Sequence, residues 1–259
     1  MTRQEFRVSS GRADAWRAPP GKTPSRVAAR CAPLLAALLA APTVHAQTYS
    51  GTLSVVTERV SRGISMSGDR PSAMLDLGYR DDRNWALGLG LATVHGQGDA
   101  TAEAIVSATR WWQIDDKRTL TVSAAHYDYA GGGNASRLRY ADLSVGGLWD
   151  SPTGQWAASV SLSPDLPVTT GDGYQGHLGG TILELTWHRR LMGAVAADVG
   201  WGVVDNWDRK TSSYTFANGG LSYTAGAWRF SLVRLYSAVP PDAKGARPRW
   251  IAGMAWTFK

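Results

Sequence analysis

The stretch WIAGMAWTF, residues 250–258 at the end of the chain, decides the fold class. Apolar or aromatic residues occupy every second position from Trp250 to Phe258, and the residues between them are mostly small or polar. This period of two, with a Phe near the C-terminus, is typical of the last strand of an outer-membrane β-barrel. Such a strand must pair with the first one, because an open edge leaves backbone groups unsatisfied in lipid. A soluble sandwich has similar strands, so the rest of the chain must decide.

The beginning of the chain has the pattern of an export signal. Residues 26–46, RVAARCAPLLAALLAAPTVHA, combine a positively charged start, an apolar run at 34–39 and a small-x-small cleavage site at 44–46. The apolar run is too short to cross a bilayer as a helix. We therefore predict a leader with a Sec-type signal peptide at 1–46 and a mature β-barrel at 47–259.

Charge and cysteine content exclude two classes of function. The leader holds seven of the 27 basic and two of the 21 acidic residues, which leaves 20 basic and 19 acidic residues in the mature chain. Because this charge is nearly balanced and unclustered, nucleic-acid binding is not expected. The one cysteine, Cys31, lies in the leader, so the mature chain should have no disulfide and no thiolate metal site.

The mature sequence parses into twelve strands with period-two alternation, separated by turn signals. We predict strands at 49–60, 71–80, 85–95, 102–113, 118–129, 138–149, 155–164, 178–188, 194–204, 213–225, 227–237 and 248–258. In the strand that begins at Trp85, for example, Leu87, Leu89 and Leu91 alternate with small residues. Apolar residues on one face and small or polar residues on the other predict a lipid-facing and a lumen-facing surface.

The connections and the aromatic residues support the same fold. Short connections, such as 81–84 and 115–117, alternate with longer ones, such as 165–177, as periplasmic turns alternate with external loops. An even number of strands places both termini on the periplasmic side. Tryptophans near the strand ends predict an aromatic girdle, made of Trp85, Trp111, Trp112, Trp149, Trp156, Trp187, Trp228 and Trp250. The fold class is therefore an all-β, antiparallel, up-and-down transmembrane barrel of about twelve strands.

The face opposite the apolar one supplies the candidate functional residues. Its charged and aromatic members, which would be costly in a dry core, are Asp76, Tyr140, Asp142, Glu184, His188, Asp198 and Arg229. Arg62 precedes Gly63 at a predicted strand-to-loop corner, where the glycine permits a bulge. Arg62 is either a structural part of this corner or an anion contact at the pore mouth.

Several short motifs resemble the Gcw_chp family, proteobacterial exported β proteins of unknown function. The segment 57–67, TERVSRGISMS, and the following Pro71 resemble the family's opening, with Arg62, Gly63 and Ser65 in the matching places. The segment 126–129, HYDY, resembles a Tyr-x-Tyr strand end of the family, and 140–142, YAD, resembles its Tyr-x-Glu strand start, with Asp in place of Glu. The resemblance implies an exported barrel and brings no established activity.

Catalysis and metal binding have only weak candidates. A hydrolase would need a set such as Ser123, His126 and Asp128, but residues three apart on a strand point to opposite faces. The segment 205–208, DNWD, offers oxygen ligands for a divalent cation, without the rest of an EF-hand. We therefore expect no enzyme activity, no cofactor and no dedicated metal site.

The expected function is that of a small outer-membrane channel, or passive transporter, for unidentified small solutes. A non-conducting structural or adhesion barrel is the second hypothesis, and an outer-membrane hydrolase is the third. The expected partners are outer-membrane lipid, lipopolysaccharide and the barrel-assembly machinery, which would recognise the C-terminal strand. The expected location is the Gram-negative outer membrane.

Overall fold

A computed structural model describes residues 48–95, 99–133, 135–170, 173–207, 213–238 and 248–259. The predicted leader lies outside these residues. Within them, no helix is both long enough and apolar enough to span a membrane.

Twelve strands form one closed antiparallel barrel, which confirms the predicted fold class. They are β1 (Thr48–Val56), β4 (Ser72–Arg80), β5 (Trp85–Thr93), β6 (Ala100–Gln113), β7 (Arg118–Gly131), β8 (Tyr140–Ser151), β9 (Gly154–Thr170), β10 (Gly173–Met192), β11 (Val195–Asn206), β12 (Tyr214–Ala225), β13 (Trp228–Ser237) and β14 (Arg249–Phe258). Two short strands, β2 (Val60–Ser61) and β3 (Ile64–Ser65), pair only with each other. A 3-10 helix, Ala135–Leu138, precedes β8.

Pairing between the first and last strands closes the barrel. β1 and β14 run antiparallel, with Gly51 opposite Phe258 and Val56 opposite Gly253. The other edge of β1 pairs with β4 along its whole length. Because every wall strand has a neighbour on both sides, the backbone presents no open edge to lipid.

The two faces of the wall carry the predicted residue types. Leu53, Val160 and Leu232 lie on the outer face and are about half exposed. Residues one position away, such as Ser54 and Ser161, point inward and are buried. This segregation follows from the pleat, which sends successive side chains to opposite faces.

The short turns at the end that holds both termini are stabilised by aspartate side chains. Asp81 Oδ1 accepts hydrogen bonds from the backbone amides of Arg83, at 3.0 Å, and Trp85, at 2.7 Å. Asp115 Oδ1 accepts from the amides of Lys117, at 2.9 Å, and Arg118, at 2.8 Å. The hydrogen bond from the Arg118 side chain also lowers the pKa of Asp115. Local side-chain bonds of this kind favour tight turns.

Three details of the strand prediction were wrong. β1 ends at Val56 instead of residue 60, and the predicted loop at 165–177 is largely a continuation of β9 and β10. Two register shifts in β10, next to Gly176 and Gly180, accommodate this longer pairing. Trp111 belongs to the inner face, where the guanidinium of Arg80 lies 4.0 Å from its ring centroid. Adjacent strand residues cannot share a face, so only Trp112 of this pair points outward.

Candidate functional site

The connection between β1 and β4, residues 57–71, folds into the barrel and is named here the inner hairpin. Its buried residues include Glu58 and Ser67, both 0% exposed, and Arg59, 2% exposed. These residues contact inward-facing side chains of several wall strands, as described below. The inner hairpin therefore crosses the lumen at the end opposite the chain termini.

The tip of the inner hairpin is a two-residue turn between β2 and β3. Val60 pairs with Ser65 and Ser61 with Ile64, and Arg62 and Gly63 form the turn. Their φ angles, 50° and 80°, are both positive, as type I′ hairpin turns require. A Cβ on Gly63 would lie 2.6 Å from Ser237 Oγ and 2.8 Å from Phe216 Cβ. Glycine is therefore needed both for the turn and for the close approach to the wall.

Hydroxyl groups hold the base of the inner hairpin. Ser67 Oγ accepts a hydrogen bond from the Arg59 amide, at 3.0 Å, and donates one to the Arg70 carbonyl, at 2.7 Å. Ser65 Oγ accepts a bond from the Gly68 amide at 3.1 Å. These bonds replace the ladder bonds that the backbone gives up when it leaves the wall.

Ion pairs attach the inner hairpin to three different wall strands. Arg59 pairs with Glu103 of β6, Glu58 with Arg249 of β14, and Arg62 with Asp142 of β8. The first two pairs are almost fully buried, and Asp142 is 3% exposed. Breaking a buried pair on one side leaves an uncompensated charge, so each pair strongly specifies where the hairpin docks.

Aromatic and apolar residues pack around these ion pairs. The ring of Tyr140 stacks on Tyr127 with centroids 4.2 Å apart, and the guanidinium of Arg62 lies 6.0 Å from the Tyr140 centroid. On the other side of the hairpin, Val60 packs in a buried cluster with Val233 and Ile251. The inner hairpin is thus seated against opposite parts of the wall.

In the ion pair of Arg62 and Asp142 at the hairpin tip, some polar atoms have no hydrogen-bond partner within the described residues. Arg62 Nη1 and Asp142 Oδ1 are buried and have no hydrogen-bond partner there. A buried donor and acceptor of this kind are normally satisfied by water. The contact between the hairpin tip and β8, made by Arg62 and Asp142, is therefore polar.

A shallow pocket of about 320 Å³ lies at the outer base of the inner hairpin, lined by Gly68, Arg70, His95, Asp99, Ala100 and Thr101. Burial and the nearby charge of Arg70 lower the pKa of His95. His95 is thus kept neutral over a wider pH range than an exposed histidine.

A second polar cluster lies in the other half of the lumen, near the short turns. Asp198 of β11 accepts hydrogen bonds from His188 Nδ1, at 2.7 Å, Ser222 Oγ, at 2.9 Å, and Arg229 Nη2, at 3.2 Å. Arg229 Nη2 also donates to Ser222 Oγ at 2.9 Å. Four neighbouring strands, β10 to β13, each contribute one member of this cluster.

The eight candidate residues named from the sequence fall into separate groups. Arg62, Tyr140 and Asp142 meet at the hairpin tip, and Asp198 meets His188 and Arg229 in the second cluster. By strand register, Asp76 of β4 and Glu184 of β10 also lie on the inner face. Arg62 belongs to a turn inside the lumen and not to a strand-to-loop corner.

The sequence analysis missed four charged residues of the site, Glu58, Arg59, Glu103 and Arg249. The first two were assigned to strand β1, although adjacent charges at Glu58 and Arg59 interrupt its alternation. Glu103 lies on the inward phase of β6, a signal in the sequence that would have identified it as a lumen residue. Its partner Arg59 is 44 positions away in the sequence, and no local pattern connects them.

The candidate catalytic residues do not come together, and the candidate metal-binding segment lies partly outside the described residues. Ser123 lies on the inner face of β7, whereas His126 lies on its outer face. In the 205–208 segment, Asp208 lies outside the described residues. Among the described residues, no three His, Cys, Asp or Glu side chains are grouped as a metal site.

The closed barrel, the polar lumen and the inserted hairpin define a porin-like outer-membrane β-barrel. Among solved structures, the chain is similar to the NanC porin, with a TM-score of 0.58, 9% identity, and coverage of 81% of this chain and 99% of that one. It is also similar to the KdgM porin, with a TM-score of 0.53, 10% identity, and coverage of 81% and 99%. At this identity the likeness concerns the fold. No protein-family model matches the sequence, and no match is found among curated proteins.

Proposed function

We propose that the protein is a passive channel for small solutes in the outer membrane and that the inner hairpin forms its constriction. The observation that carries the proposal is the polar interior, in which a charged hairpin is bound to the wall by ion pairs. A barrel with a purely structural role could fill the same space with apolar side chains at lower desolvation cost. Charged and hydroxyl groups instead provide a surface that water can wet.

The lining of the other half of the lumen supports this proposal. Below the inner hairpin, the inward positions are mainly glycine, serine, threonine and alanine, as in Gly88, Ser107, Thr121 and Ala157. These side chains are short, so they fill less of the lumen than large side chains would. A barrel of about twelve strands with such a lining suits a narrow hydrated channel.

The burial of the inner hairpin favours a second candidate, a barrel that does not conduct. Glu58 and Ser67 are 0% exposed, so the hairpin is closely packed against the wall. In that case the protein would be a structural or adhesion barrel of the envelope.

Conductance in planar bilayers distinguishes the two candidates. We expect stepwise currents from the refolded wild-type protein, and larger steps when residues 61–66 are replaced by two glycines. Arg62→Gln should also increase the step size, because it releases the hairpin tip from Asp142. The matched control is Arg139→Gln, since Arg139 is half exposed, lies 3.9 Å from Asp128 and donates to the Ser136 carbonyl at 3.2 Å, away from the inner hairpin.

The outcomes separate clearly. Currents from the glycine variant alone would support a plugged, non-conducting barrel. If neither protein conducts although both migrate as folded barrels, the channel proposal is wrong. The hydrolase hypothesis receives no support from the separated positions of Ser123 and His126.

The proposal includes the location of the protein and its route of export and membrane insertion. Cleavage before Gln47, insertion through the barrel-assembly machinery and contact with lipopolysaccharide all follow from an outer-membrane role. The Gcw_chp resemblance at Arg62, Gly63 and Ser65 is consistent with this role, since Arg62 and Gly63 form the hairpin tip and Ser65 belongs to β3 of the same hairpin. N-terminal sequencing and membrane fractionation test the location directly.

A further inference from the structure

The cluster formed by His188, Asp198, Ser222 and Arg229 is separate from the inner hairpin. His188 lies four positions before the end of β10, and Arg229 is the second residue of β13. Both therefore lie close to the short turns, whereas the hairpin occupies the other end of the lumen. We propose that this cluster sets the charge selectivity of the channel and that protonation of His188 shifts the preference toward anions. This inference rests on the proposed channel function.

The first step of the argument is that Asp198 and Arg229 form a neutral unit. Arg229 Nη2 lies 3.2 Å from Asp198 Oδ2, and Ser222 bridges the two groups by accepting from Arg229 and donating to Asp198. The side chains are only 14% and 21% exposed, so neither charge is freely presented to a passing ion. The net charge of the cluster therefore depends on its remaining member.

The second step concerns the proton on His188. An ionised carboxylate only accepts hydrogen bonds, so the 2.7 Å contact with Asp198 requires Nδ1 of His188 to donate. The other ring nitrogen, Nε2, is the atom that gains or loses the proton. The His188 side chain is 45% exposed on the inner face, so this proton exchanges with water in the lumen.

The third step is the charge balance around His188. On β9, Gln155 lies opposite His188 and donates to Asp150 of β8 at 2.9 Å. On its own strand, Arg190 is the next inward residue. Asp150, Asp198, Arg190 and Arg229 together carry no net charge when ionised, and Glu184, two inward positions away on β10, adds one negative charge. Protonation of His188 therefore makes this part of the wall more positive by one unit.

One such charge is sufficient to change ion selectivity in a narrow lumen. The low-dielectric wall of a barrel focuses the field of a charge into the water-filled space. An added positive charge attracts anions and repels cations, so the ratio of their permeabilities changes more than the permeability of either one. Histidine is the side chain whose charge changes between about pH 5 and pH 8.

Reversal potentials across a KCl gradient test the inference on the refolded full barrel. For the wild type, we expect the chloride-to-potassium permeability ratio to be at least about two-fold higher at pH 5 than at pH 8. His188→Gln should abolish this increase. His126→Gln is the matched control, because His126 lies on the outer face of β7 and should leave the increase intact.

A second variant covers the case in which His188→Gln does not fold, as judged by heat-modifiable mobility in gels. Asp198→Asn removes one negative charge and should raise the permeability ratio already at pH 8. Currents without any pH-dependent selectivity, or with the same dependence in His188→Gln, would overturn the inference but leave the channel proposal in place. An unchanged ratio in Asp198→Asn would also overturn it. Complete absence of current would overturn both proposals.

Discussion

At the scale of single residues, Arg59 and Glu103 show how charges are accommodated inside the barrel. The two side chains form an ion pair and are 2% and 1% exposed. Glu103 Oε1 also accepts a hydrogen bond from the Tyr129 hydroxyl at 2.9 Å, and Arg59 Nη1 lies 2.9 Å from Met74 Sδ. Each group thus has several fixed neighbours, which is what makes a buried charge tolerable.

The first prediction is that Glu103→Gln destabilises the folded barrel by about 3 kcal/mol, because the Arg59 charge remains buried without its counter-charge. Urea unfolding in lipid vesicles, followed by tryptophan fluorescence, measures the change. The control is Asp115→Asn at the solvent-exposed pair of Asp115 and Arg118, where the effect should be much smaller. Similar effects at the two sites would show that the Arg59 pair is not buried in the membrane-inserted protein.

Gly63 is required at its position by two constraints, the backbone conformation and the close approach to the wall. Its φ of 80° is unfavourable for any residue with a Cβ, and that Cβ would also contact Ser237 and Phe216. The tip of the inner hairpin therefore depends on one residue whose role is purely geometric.

A second prediction follows for this position. Gly63→Ala should shift the inner hairpin away from the wall, costing about 1–3 kcal/mol of stability. It should also increase single-channel conductance in the bilayer experiment. Gly219→Ala is the matched control, because a Cβ at Gly219 meets nothing within 4 Å and its φ is not in the left-handed region. An effect of equal size in both variants would contradict the docking geometry.

At the scale of the elements, each wall strand separates lipid from lumen by alternation alone. In β9, Val160 is 44% exposed on the outer face, and the adjacent Ser159 points inward opposite Gly146 and Glu184. In this part of β9, even-numbered residues therefore face hydrocarbon, and odd-numbered residues face the lumen.

The third prediction uses this pair. Val160→Arg should destabilise the barrel by about 2–4 kcal/mol if it lies near the bilayer midplane, because the guanidinium then faces lipid. Ser159→Arg should be tolerated and should change conductance or selectivity instead. Unfolding free energies of the two variants are the measurement. Equal destabilisation would indicate a two-sided dry core.

At the scale of the whole molecule, closure connects the first strand to the last. β1 and β14 are more than 190 residues apart in the sequence, and their pairing completes the barrel. The inner hairpin leaves the wall immediately after β1, where Thr57 exchanges hydrogen bonds with Ala252. The barrel therefore closes, and the inner hairpin enters the lumen, at the same place, the junction of β1 and β14.

The fourth prediction tests the pairing of β1 with β14. Cysteines at Ser54 and Ala255, which face each other in the register, should cross-link in the folded barrel. Cysteines at Ser54 and Gly253 are two residues out of register and should cross-link much less. The chain's one native cysteine, Cys31, lies in the predicted leader and does not interfere in the mature protein. Removal of residues 256–259 should abolish membrane insertion, and efficient insertion of that truncated chain would count against closure.

Much of the architecture could be predicted from local sequence patterns. The twelve strands and the phase of their residues follow from a period of two, because the pleat and the contrast between lipid and water act on each strand separately. The same phase placed Asp76, Asp142, Glu184 and Asp198 on the inner face. The wrong face was predicted for Trp111 because its residue type was given more weight than its position in the alternation.

The sequence by itself therefore determined the class of fold and the face to which most wall residues belong. Only the tertiary structure decided that residues 57–71 enter the lumen, that Arg59 meets Glu103, and that His188 and Arg229 share Asp198. The reason is physical: alternation is a local property of an extended backbone, whereas these charges meet only after the strands close into a barrel. Closure brings distant inward-facing groups together, and the cost of leaving a buried charge unpaired selects their partners.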